Sequence, residues 1–348
     1  MSERKSKSVS KARVFLAGSP TGFSRAEQTP GGGWEVDRLR ADLKATCLAE
    51  DPLNPGVLFA GTRSSGVWRS KDRGRSWEYC GLKDQMVMSL AVSPHPQAGG
   101  LRDQPLLYAG AKPALTFRSG DGGKSWEELE GFRRVPNRWW WFSPADPPGW
   151  KPYVISIVPS PADPDVILAG VEFGGVMRSD DRGGTWSRHL RGALRDCHDL
   201  KFHPAKGTWV YQAGGTGGGA SYSRDGGITW HKAKHGLAAN YGIACAADPE
   251  KPEVWYLSVA KSPGKAHGES PETYLYRATA GAGWQPIGWS AQPLSETPFA
   301  LVTRQGAPGN LWFGGRNGAV WHSPDYGASW EKLPFNLGAG ASSLLVLD

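Results

Sequence analysis

Residues 66–80 read Gly-Val-Trp-Arg-Ser-Lys-Asp-Arg-Gly-Arg-Ser-Trp-Glu-Tyr-Cys, and this stretch decides the fold. Its centre, Ser70-x-Asp72-x-Gly74-x-Ser76-Trp77, joins an acceptor side chain, a glycine and a large aromatic ring in one short turn. An aspartate can accept backbone N–H groups, a glycine tolerates positive φ, and a tryptophan buries a large surface. We therefore predict a structural turn between two strands, with no catalytic role for its aspartate.

This pattern, here called the box, is repeated along the chain. Four further full copies span Ser119–Trp126, Ser179–Trp186, Ser223–Trp230 and Ser323–Trp330. Two weaker copies keep a tryptophan after glycines, at Trp34 and Trp284. Successive box tryptophans lie 43 to 60 residues apart, which fits one four-stranded propeller blade per repeat. The seven repeats predict seven blades, numbered here from the one that contains Trp34.

Each repeat has the composition of short strands and turns. In the clearest repeat we predict strands at Ala45–Ala49, Val57–Gly61, Gly66–Ser70 and Ser76–Cys80, because apolar runs are bounded there by Gly, Pro and Asp. The chain holds 47 Gly and 27 Pro in 348 residues, and no segment keeps a helical period. The prediction is an all-β, seven-bladed β-propeller of four-stranded antiparallel blades with essentially no helix.

The two ends of the chain predict how the ring closes. Three strands are expected near the N-terminus, at Arg13–Gly18, Gly22–Arg25 and Trp34–Val36, whereas Ser342–Leu347 is a single apolar strand after the last repeat. Pairing the C-terminal strand with the N-terminal strands would complete one blade and remove exposed sheet edges. Residues 13–348 are therefore predicted to form one domain.

Charge and cysteine usage limit the partners and the compartment. The net charge is +7, but residues 1–13 alone hold five Lys or Arg and one Glu, so we predict a disordered basic tail over residues 1–12 and no nucleic-acid partner. No run approaches the roughly 18 apolar residues that a membrane span needs, so no membrane partner is predicted. Four widely spaced cysteines and no export signal at the N-terminus predict free thiols and a cytoplasmic location.

The boxes, together with the phrase Val57-Leu58-Phe59-Ala60-Gly61-Thr62, resemble the Asp-box (BNR) repeats of known propellers. Such repeats occur in sialidases, xyloglucanase-like glycosyl hydrolases, the sortilin family and photosystem II assembly factor propellers. The resemblance implies the fold, whereas its functions include hydrolases, receptors and scaffolds. Sialidases have six blades and the xyloglucanase-like enzymes place their paired aspartates between two propellers, so no catalytic residue is carried over and sialidase activity is not expected.

Two long loops are predicted on one face, where each blade joins the next and where second strands join third strands. The link between blades 3 and 4 runs from Phe132 to Trp150, and blade 6 carries Ala260–Tyr274. Trp139, Trp140 and Trp141 in the first loop are either a stacking platform for a sugar or another flat ligand, or rings packed as a lid. Arg138 beside them favours an anion, and a solvated basic loop is the alternative.

Candidate catalytic residues end the second strand of blade 4 and begin the innermost strand of blade 5. Glu172, Asp196 and His198 form a predicted set of two carboxylates and an imidazole that could perform acid–base work, as in glycoside hydrolysis. Asp199, two residues before Lys201 on one side of a strand, either orients His198 or forms an ion pair with that lysine. Binding of a metal by His198, His267 and Glu172 is an open alternative, although no ligand spacing supports it and no cofactor or metal is predicted.

Further cations on the same face are predicted to bind the ligand. They are Lys112, Arg195, Lys261, His267 and Arg316. The carboxylates and the tryptophans favour a glycoside-hydrolase-like propeller protein with a pocket at the channel mouth for a carbohydrate or another anionic small molecule. The excess of cations favours the alternative, a non-catalytic binding or assembly scaffold that recognises an acidic ligand or protein.

Overall fold

Seven antiparallel sheets form a closed ring in the computed structural model of the chain. The structure describes residues 12–19, 22–40, 42–97, 104–142, 149–215, 218–279, 283–288, 292–338 and 343–348. The innermost strands contact one another in blade order and return to the first blade, so they surround a central channel. The predicted seven-bladed propeller is confirmed. Residues 1–11 of the predicted basic tail lie outside the described residues, and the domain boundary at residue 13 stays a prediction.

The strands are given blade by blade, from the innermost strand outwards. Blade 1 contains Ser343–Leu347 (β27), Val14–Ser19 (β1), Gly22–Gln28 (β2) and Trp34–Leu39 (β3). Blade 2 contains Ala45–Glu50 (β4), Leu58–Thr62 (β5), Val67–Ser70 (β6) and Glu78–Tyr79 (β7), and blade 3 contains Met86–Val92 (β8), Leu107–Lys112 (β9), Thr116–Ser119 (β10) and Glu127–Glu128 (β11). Blade 4 contains Val154–Pro159 (β12), Ile167–Val171 (β13) and Gly175–Ser179 (β14).

The remaining three blades have four strands each. Blade 5 contains Cys197–Phe202 (β15), Val210–Gly214 (β16), Ala220–Ser223 (β17) and His231–Lys232 (β18). Blade 6 contains Tyr241–Ala247 (β19), Trp255–Ala260 (β20), Thr273–Ala278 (β21) and Gln285–Pro286 (β22). Blade 7 contains Pro298–Val302 (β23), Leu311–Gly315 (β24), Ala319–Ser323 (β25) and Glu331–Asn336 (β26).

The ring closes through the two ends of the chain. β27 pairs antiparallel with β1, with a register that runs from Val14 opposite Leu347 to Gly18 opposite Ser343. The predicted pairing of the C-terminal strand with the N-terminal strands is confirmed. Because the last strand of the chain completes the first blade, the edge of β1 that faces the channel is paired.

Blade 4 departs from the predicted four strands. Its fourth segment still follows β14, because Ser187 N donates to Arg178 O at 2.8 Å and Leu190 N donates to Val176 O at 2.9 Å. The reciprocal bond is made by a side chain, since Arg178 N donates to Ser187 Oγ at 2.9 Å. A hydroxyl replaces a carbonyl in the ladder, and the described sheet therefore has three regular strands.

A small amount of helix occurs where the sequence predicted none. Helix α1 spans Pro263–His267 and begins after Ser262, whose hydroxyl accepts a hydrogen bond from Lys265 N at 3.3 Å. Two short 3-10 turns span Glu130–Arg134 and Arg138–Trp140 in the loop after blade 3. None of the helices in the described residues has the length and apolar character that a membrane crossing requires.

The boxes fix the turns between third and fourth strands. In blade 3 the carboxylate of Asp121 accepts bonds from Ser119 Oγ at 2.8 Å, Ser125 N at 2.9 Å and Ser125 Oγ at 2.6 Å. The indole of Trp126 donates to Gly123 O at 3.0 Å. All of these partners lie within the turn, as the structural interpretation of the box requires.

Candidate functional site

Five polar side chains from three consecutive blades converge at one end of the channel. This mouth cluster consists of Tyr153, Glu172, Asp196, His198 and Tyr241. Tyr153 precedes β12, Glu172 follows β13, Asp196 and His198 flank the first residue of β15, and Tyr241 begins β19. The inner strand begins and the second strand ends on this face, so the topology brings together residues that are far apart in sequence.

Tyr153 and Glu172 form a hydrogen-bonded pair within blade 4. The phenol donates to the carboxylate, and Glu172 N donates to Tyr153 O at 3.1 Å. Burial raises the pKa of Glu172 above its usual value, against the lowering effects of Tyr153, His198 and Lys112. Lys112 Nζ lies 4.9 Å from the centre of the Tyr153 ring and 5.3 Å from that of Trp150. The carboxyl therefore already has a donor and a nearby cation within the chain.

His198 and Asp196 form the second pair of the mouth cluster. His198 Nδ1 donates to Gly242 O at 2.6 Å, and Nε2 lies 3.4 Å from Asp196 Oδ1. Burial opposes the charged ring, but the bond to Asp196, its charge and the charge of Glu172 outweigh burial and raise the pKa of His198. Both side chains are largely buried, so this ion pair is shielded from solvent.

Tyr241 connects the mouth cluster to helix α1. Its ring packs edge-on against His198, with centroids 4.8 Å apart, and its hydroxyl lies 3.4 Å from His267 Nε2. Burial, followed by the charges of His198 and Arg316, lowers the pKa of His267. His267 thus lies beside Tyr241, close enough to His198 for the two charges to interact. Within the described residues, no three His, Cys, Asp or Glu side chains are arranged to hold a metal ion.

Asp199 lines the central channel. Its Oδ2 accepts from Cys245 N at 3.0 Å and lies 3.2 Å from Lys201 Nζ. Lys201 in turn donates to Leu301 O of blade 7 at 3.2 Å. The ion-pair alternative for Asp199 and Lys201 is the one that the structure contains.

The central channel holds a cavity of 590 Å³. His198 is the one member of the mouth cluster that lines it, as far as the described residues show. Glu172 bonds to Tyr153 and Asp196 pairs with His198, and neither carboxylate is among the described residues that line the cavity. A ligand pocket around the two carboxylates, as the sequence predicted, is therefore not a feature that the structure shows.

The tryptophan loop divides into a buried part and an exposed part. Trp141 is buried in the apolar core between blades 3 and 4, and Arg138 lies over its ring at 4.6 Å. The Arg138 guanidinium donates to Phe132 O and Ala114 O, both at 2.6 Å. The ring of Trp141 is covered by Arg138, and the N–H groups of Arg138 bond to backbone carbonyls. These two residues are therefore packed within the protein, which is the structural alternative given for this loop.

Three further aromatic side chains of this loop form an exposed stack, here called the aromatic ladder. It consists of Trp139, Trp140 and Phe142, which are 71%, 50% and 45% exposed. The rings of Trp139 and Trp140 stack with centroids 4.5 Å apart, and those of Trp140 and Phe142 stack at 6.2 Å with an interplanar angle of 10°. Three adjacent exposed rings form an apolar patch of the kind that marks an interaction surface.

The predicted cations differ in how their charges are used. Arg195 donates to Trp140 O and, at 3.2 Å, to Phe173 O, so it ties the ladder to the loop that carries Glu172. Arg316 donates to the His267 and Gly268 carbonyls. Lys261 lies 3.3 Å from Glu272, whose carboxylate neutralises it. Arg195 and Arg316 therefore hold loops in place by bonds to backbone carbonyls. Because a carbonyl carries no net charge, these bonds do not neutralise the two guanidinium groups on this face.

Sequence reasoning missed three features of the mouth cluster. Tyr153 and Tyr241 lie eight places before the turn prolines 161 and 249, which is the position that Asp196 occupies before Pro204. Counting back to that position would have identified them. The third feature is Phe173, whose φ of 56° is unusual for a bulky residue and turns the chain directly after Glu172. No sequence signal indicates that conformation.

Comparison with known proteins adds to this geometry. A family model described as BNR/Asp-box repeat matches residues 221–232, the box of blade 5. This chain carries Asp-box repeats in a seven-bladed β-propeller fold. No curated protein sequence matches it.

Solved structures of two kinds resemble this Asp-box propeller. The GH74 xyloglucanase from Xanthomonas campestris has a TM-score of 0.61 at 20% identity, covering 83% of this chain and 45% of the enzyme. YCF48 bound to D1 peptide has a TM-score of 0.57 at 17% identity, covering 95% and 96%, and YCF48 from Cyanidioschyzon merolae has 0.56 at 12%, covering 85% and 86%. The propeller spans less than half of the xyloglucanase, and at these identities the likeness shows the fold alone.

Proposed function

We propose that this propeller is a non-catalytic binding scaffold that holds an acidic, apolar protein segment on its mouth face. The observation that carries the proposal is the exposed aromatic ladder of Trp139, Trp140 and Phe142. Exposed aromatic rings are the commonest anchors of protein interfaces. The similar YCF48 propeller, which this chain matches over nearly its full length, is described as bound to a peptide.

Charge around the ladder favours an acidic partner. Arg195 bonds to neutral carbonyls beside Trp140, and Lys112 lies over aromatic rings nearby. These side chains add positive charge, whereas the carboxylate of Glu172 bonds to Tyr153 and that of Asp196 pairs with His198. A cationic face with an apolar centre attracts acidic segments and then holds them by ring contacts.

The test begins with selection of 12-residue peptides from a random displayed library on the intact protein. We expect the selected peptides to combine acidic and apolar residues. Trp140→Ala should weaken their binding by about 2 kcal/mol or more, because truncation of an aromatic anchor removes most of its contact. Arg195→Gln should weaken it less and reduce its salt dependence.

Ile228→Ala is the matched control for this test. Ile228 is another large apolar side chain, 59% exposed, in the box of blade 5 at the opposite end of the strands. Its truncation should leave peptide binding unchanged. Equal binding by wild type and Trp140→Ala would contradict the proposal, as would equal weakening by Ile228→Ala.

A glycoside-hydrolase-like activity is the second candidate. Burial keeps the pKa of Glu172 above its usual value, which is a property of general acids in glycoside hydrolysis. Incubation with a panel of chromogenic glycosides tests it. Turnover that Glu172→Gln and Asp196→Asn both abolish would favour an enzyme, whereas unchanged turnover in both variants would exclude these carboxyls.

A further inference from the structure

A repeated arginine joins neighbouring blades at the box end of the strands. The arginine lies on the third strand and donates to a box carbonyl of the next blade, directly before the box glycine. The bonds are Arg25 to Arg73 O at 3.0 Å, Arg69 to Gly122 O at 3.3 Å, Arg118 to Arg182 O at 3.4 Å, Arg178 to Gly226 O, and Arg277 to Tyr326 O at 2.9 Å. We call this contact the arginine clasp.

Among the described residues, the arginine clasp is missing between blades 5 and 6, where aromatic rings take its place. This interface between the two blades is here called the seam. The clasp position of blade 5 holds Tyr222, which is one residue before Ser223 as Arg69 is one residue before Ser70. The turn before the second strand also differs. Its closing residue is Trp209 in blade 5, but Val57, Leu106, Val166 and Val254 close the same turn in blades 2, 3, 4 and 6. Tyr222 and Trp209 therefore differ from the residues at the same positions of the other blades, so the fold itself does not require aromatic rings there.

These departures line a cavity of 380 Å³ on the outer side of the seam. Its aromatic walls include Trp209, Tyr222, Trp255 and Trp284, and its size is in the range of small-molecule sites. Trp255 is the first residue of β20, and Ala260 at the other end of that strand leads to helix α1 beside the mouth cluster. The seam cavity is consequently separate from the mouth face.

Positive charge surrounds the aromatic walls. Arg224 Cζ lies 4.7 Å from the centre of the Trp209 ring and 5.4 Å from that of Tyr222, so its guanidinium stacks on the wall. Lys232, Lys234 and His235 also line the cavity, against one acidic residue, Glu253. None of the ion pairs between described residues involves Arg224, Lys232 or Lys234. Their charges remain available to an anion.

We propose that the seam cavity binds a planar aromatic ring that carries a phosphate. The aromatic walls and the guanidinium plane offer flat surfaces for stacking of the ring. Arg224 and the lysines supply donors for the phosphate, and arginine matches its geometry with two parallel N–H groups. An aliphatic phosphate would lose the stacking, and an uncharged aromatic compound would lose the ionic contacts.

The first test titrates the full-length protein with phenyl phosphate and follows tryptophan fluorescence and heat of binding. We expect saturable quenching, because Trp209, Trp255 and Trp284 line the cavity. Cyclohexyl phosphate, inorganic phosphate and benzyl alcohol should each bind about tenfold more weakly or worse, since each lacks one part of the recognition. Equal binding of phenyl and cyclohexyl phosphate, or no saturable binding, would overturn the proposal.

Arg224→Gln and Lys71→Gln form a matched pair of variants. Both residues follow the box serine, and the same position holds glycine, aspartate or proline in the other full boxes, so neither variant should disturb the turn. Arg224→Gln should weaken phenyl phosphate binding about tenfold, with an unchanged unfolding temperature, whereas Lys71→Gln should not. An equal effect of both variants, or of neither, would contradict the seam cavity as the binding site.

Two further probes separate the possible sources of the ligand. Adenosine 5′-monophosphate represents a free nucleotide, and an N-acetylated phosphotyrosine amide represents a modified protein segment. Tighter binding of either probe than of phenyl phosphate supports the proposal and identifies the source. Failure of both to compete with phenyl phosphate would overturn it. These outcomes do not depend on Trp140, so they are independent of the scaffold proposed for the mouth face.

Discussion

The Nδ1 atom of His198 lies 2.6 Å from the carbonyl oxygen of Gly242, so a ring from blade 5 is fixed by the backbone of blade 6. Because a carbonyl only accepts, Nδ1 carries the proton, and Nε2 faces Asp196 at 3.4 Å. The imidazole is thus positioned by its own chain. This arrangement makes the mouth cluster a joint between two blades as well as a candidate site.

We expect protonated His198 to stabilise the fold. Its pKa is raised above the usual 6.5 in the folded state, so the stabilisation is full below pH 6.5 and is lost as pH rises through the higher folded value. The difference in unfolding free energy between wild type and His198→Gln should therefore be larger at about pH 5.5 than at about pH 9. Chemical denaturation at both pH values measures it.

His231→Gln serves as the control for that experiment, because His231 is exposed on the outer strand of blade 5. Its effect on unfolding should be small at both pH values. A His198 contribution that stays constant, or that grows towards alkaline pH, would show that the ion pair with Asp196 does not raise the pKa of the imidazole.

Gly215 is required by the packing of the same pair. A Cβ atom at this position would lie 2.0 Å from Asp196 Oδ2 and 2.9 Å from His198 Cε1. Gly215→Ala should cost about 2 kcal/mol of stability, as overpacking of a filled site does, and should change the histidine titration seen by NMR. Gly31→Ala is the matched control, because its Cβ would meet nothing within 4 Å. Equal stability of the two variants would contradict this packing.

Removal of the box aspartate Asp121 should destabilise the fold. Burial opposes the charge of Asp121, but hydrogen bonds from Ser125 and Ser119 outweigh it and lower the pKa of Asp121 to about 2. Asp121→Ala should lose about 2 kcal/mol in urea unfolding, because it leaves turn donors without their acceptor. The exposed turn residue Asp84 provides a control, and Asp84→Ala should change stability by less than about 0.5 kcal/mol.

The same carboxylate predicts the direction of an acid effect. Since its pKa is depressed in the fold, the stabilisation is present above the usual value of 3.8 and is lost as pH falls through about 2. Wild type and Asp121→Ala should thus approach each other in stability in strong acid. A gap that persists there would mean that the side chain acts by packing rather than by charge.

The sequence predicts the fold well because the hydrogen bonds of each box aspartate lie within its own turn. Asp121, Ser119 and Ser125 meet within one turn, so local residue types are sufficient to identify it. Closure was also predictable, since a lone apolar strand at Ser343–Leu347 needs a partner and β1 provides one. The lack of a regular fourth strand in the described part of blade 4 was not, because there the side-chain oxygen of Ser187 accepts the Arg178 N–H.

The candidate site was predictable in position but not in detail. Glu172, Asp196 and His198 meet at the channel mouth because the topology requires it. Their hydrogen-bond partners Tyr153 and Gly242 come from neighbouring segments whose facing directions depend on strand bulges, as between Cys197 and Asp199. Nothing in the run of three tryptophans indicates that Trp141 is buried while Trp139 is exposed.

The arginine clasp offers a last prediction about how the blades are held together. Arg25 is 3% exposed, donates to Arg73 O of blade 2 and pairs with Glu27 at 2.8 Å. Arg75 pairs with the same glutamate at 2.7 Å but is 54% exposed. Arg25→Gln should cost about 3 kcal/mol in urea unfolding, because a buried charge network loses its centre, whereas Arg75→Gln should cost less than about 1 kcal/mol.

Both variants remove one positive charge from beside Glu27, but only Arg25 is buried. A difference between their effects therefore reports the burial of Arg25 and its bond to blade 2, and not the charge alone. If the clasp joins blades, Arg25→Gln should also increase amide hydrogen exchange in the box turn of blade 2, where Arg73 loses its donor. Equal costs for the two variants would mean that the ion pair alone matters and that the contact between blades contributes nothing. If Arg25→Gln lowers the unfolding free energy strongly but does not speed amide hydrogen exchange around Arg73, the stabilisation by Arg25 arises within blade 1.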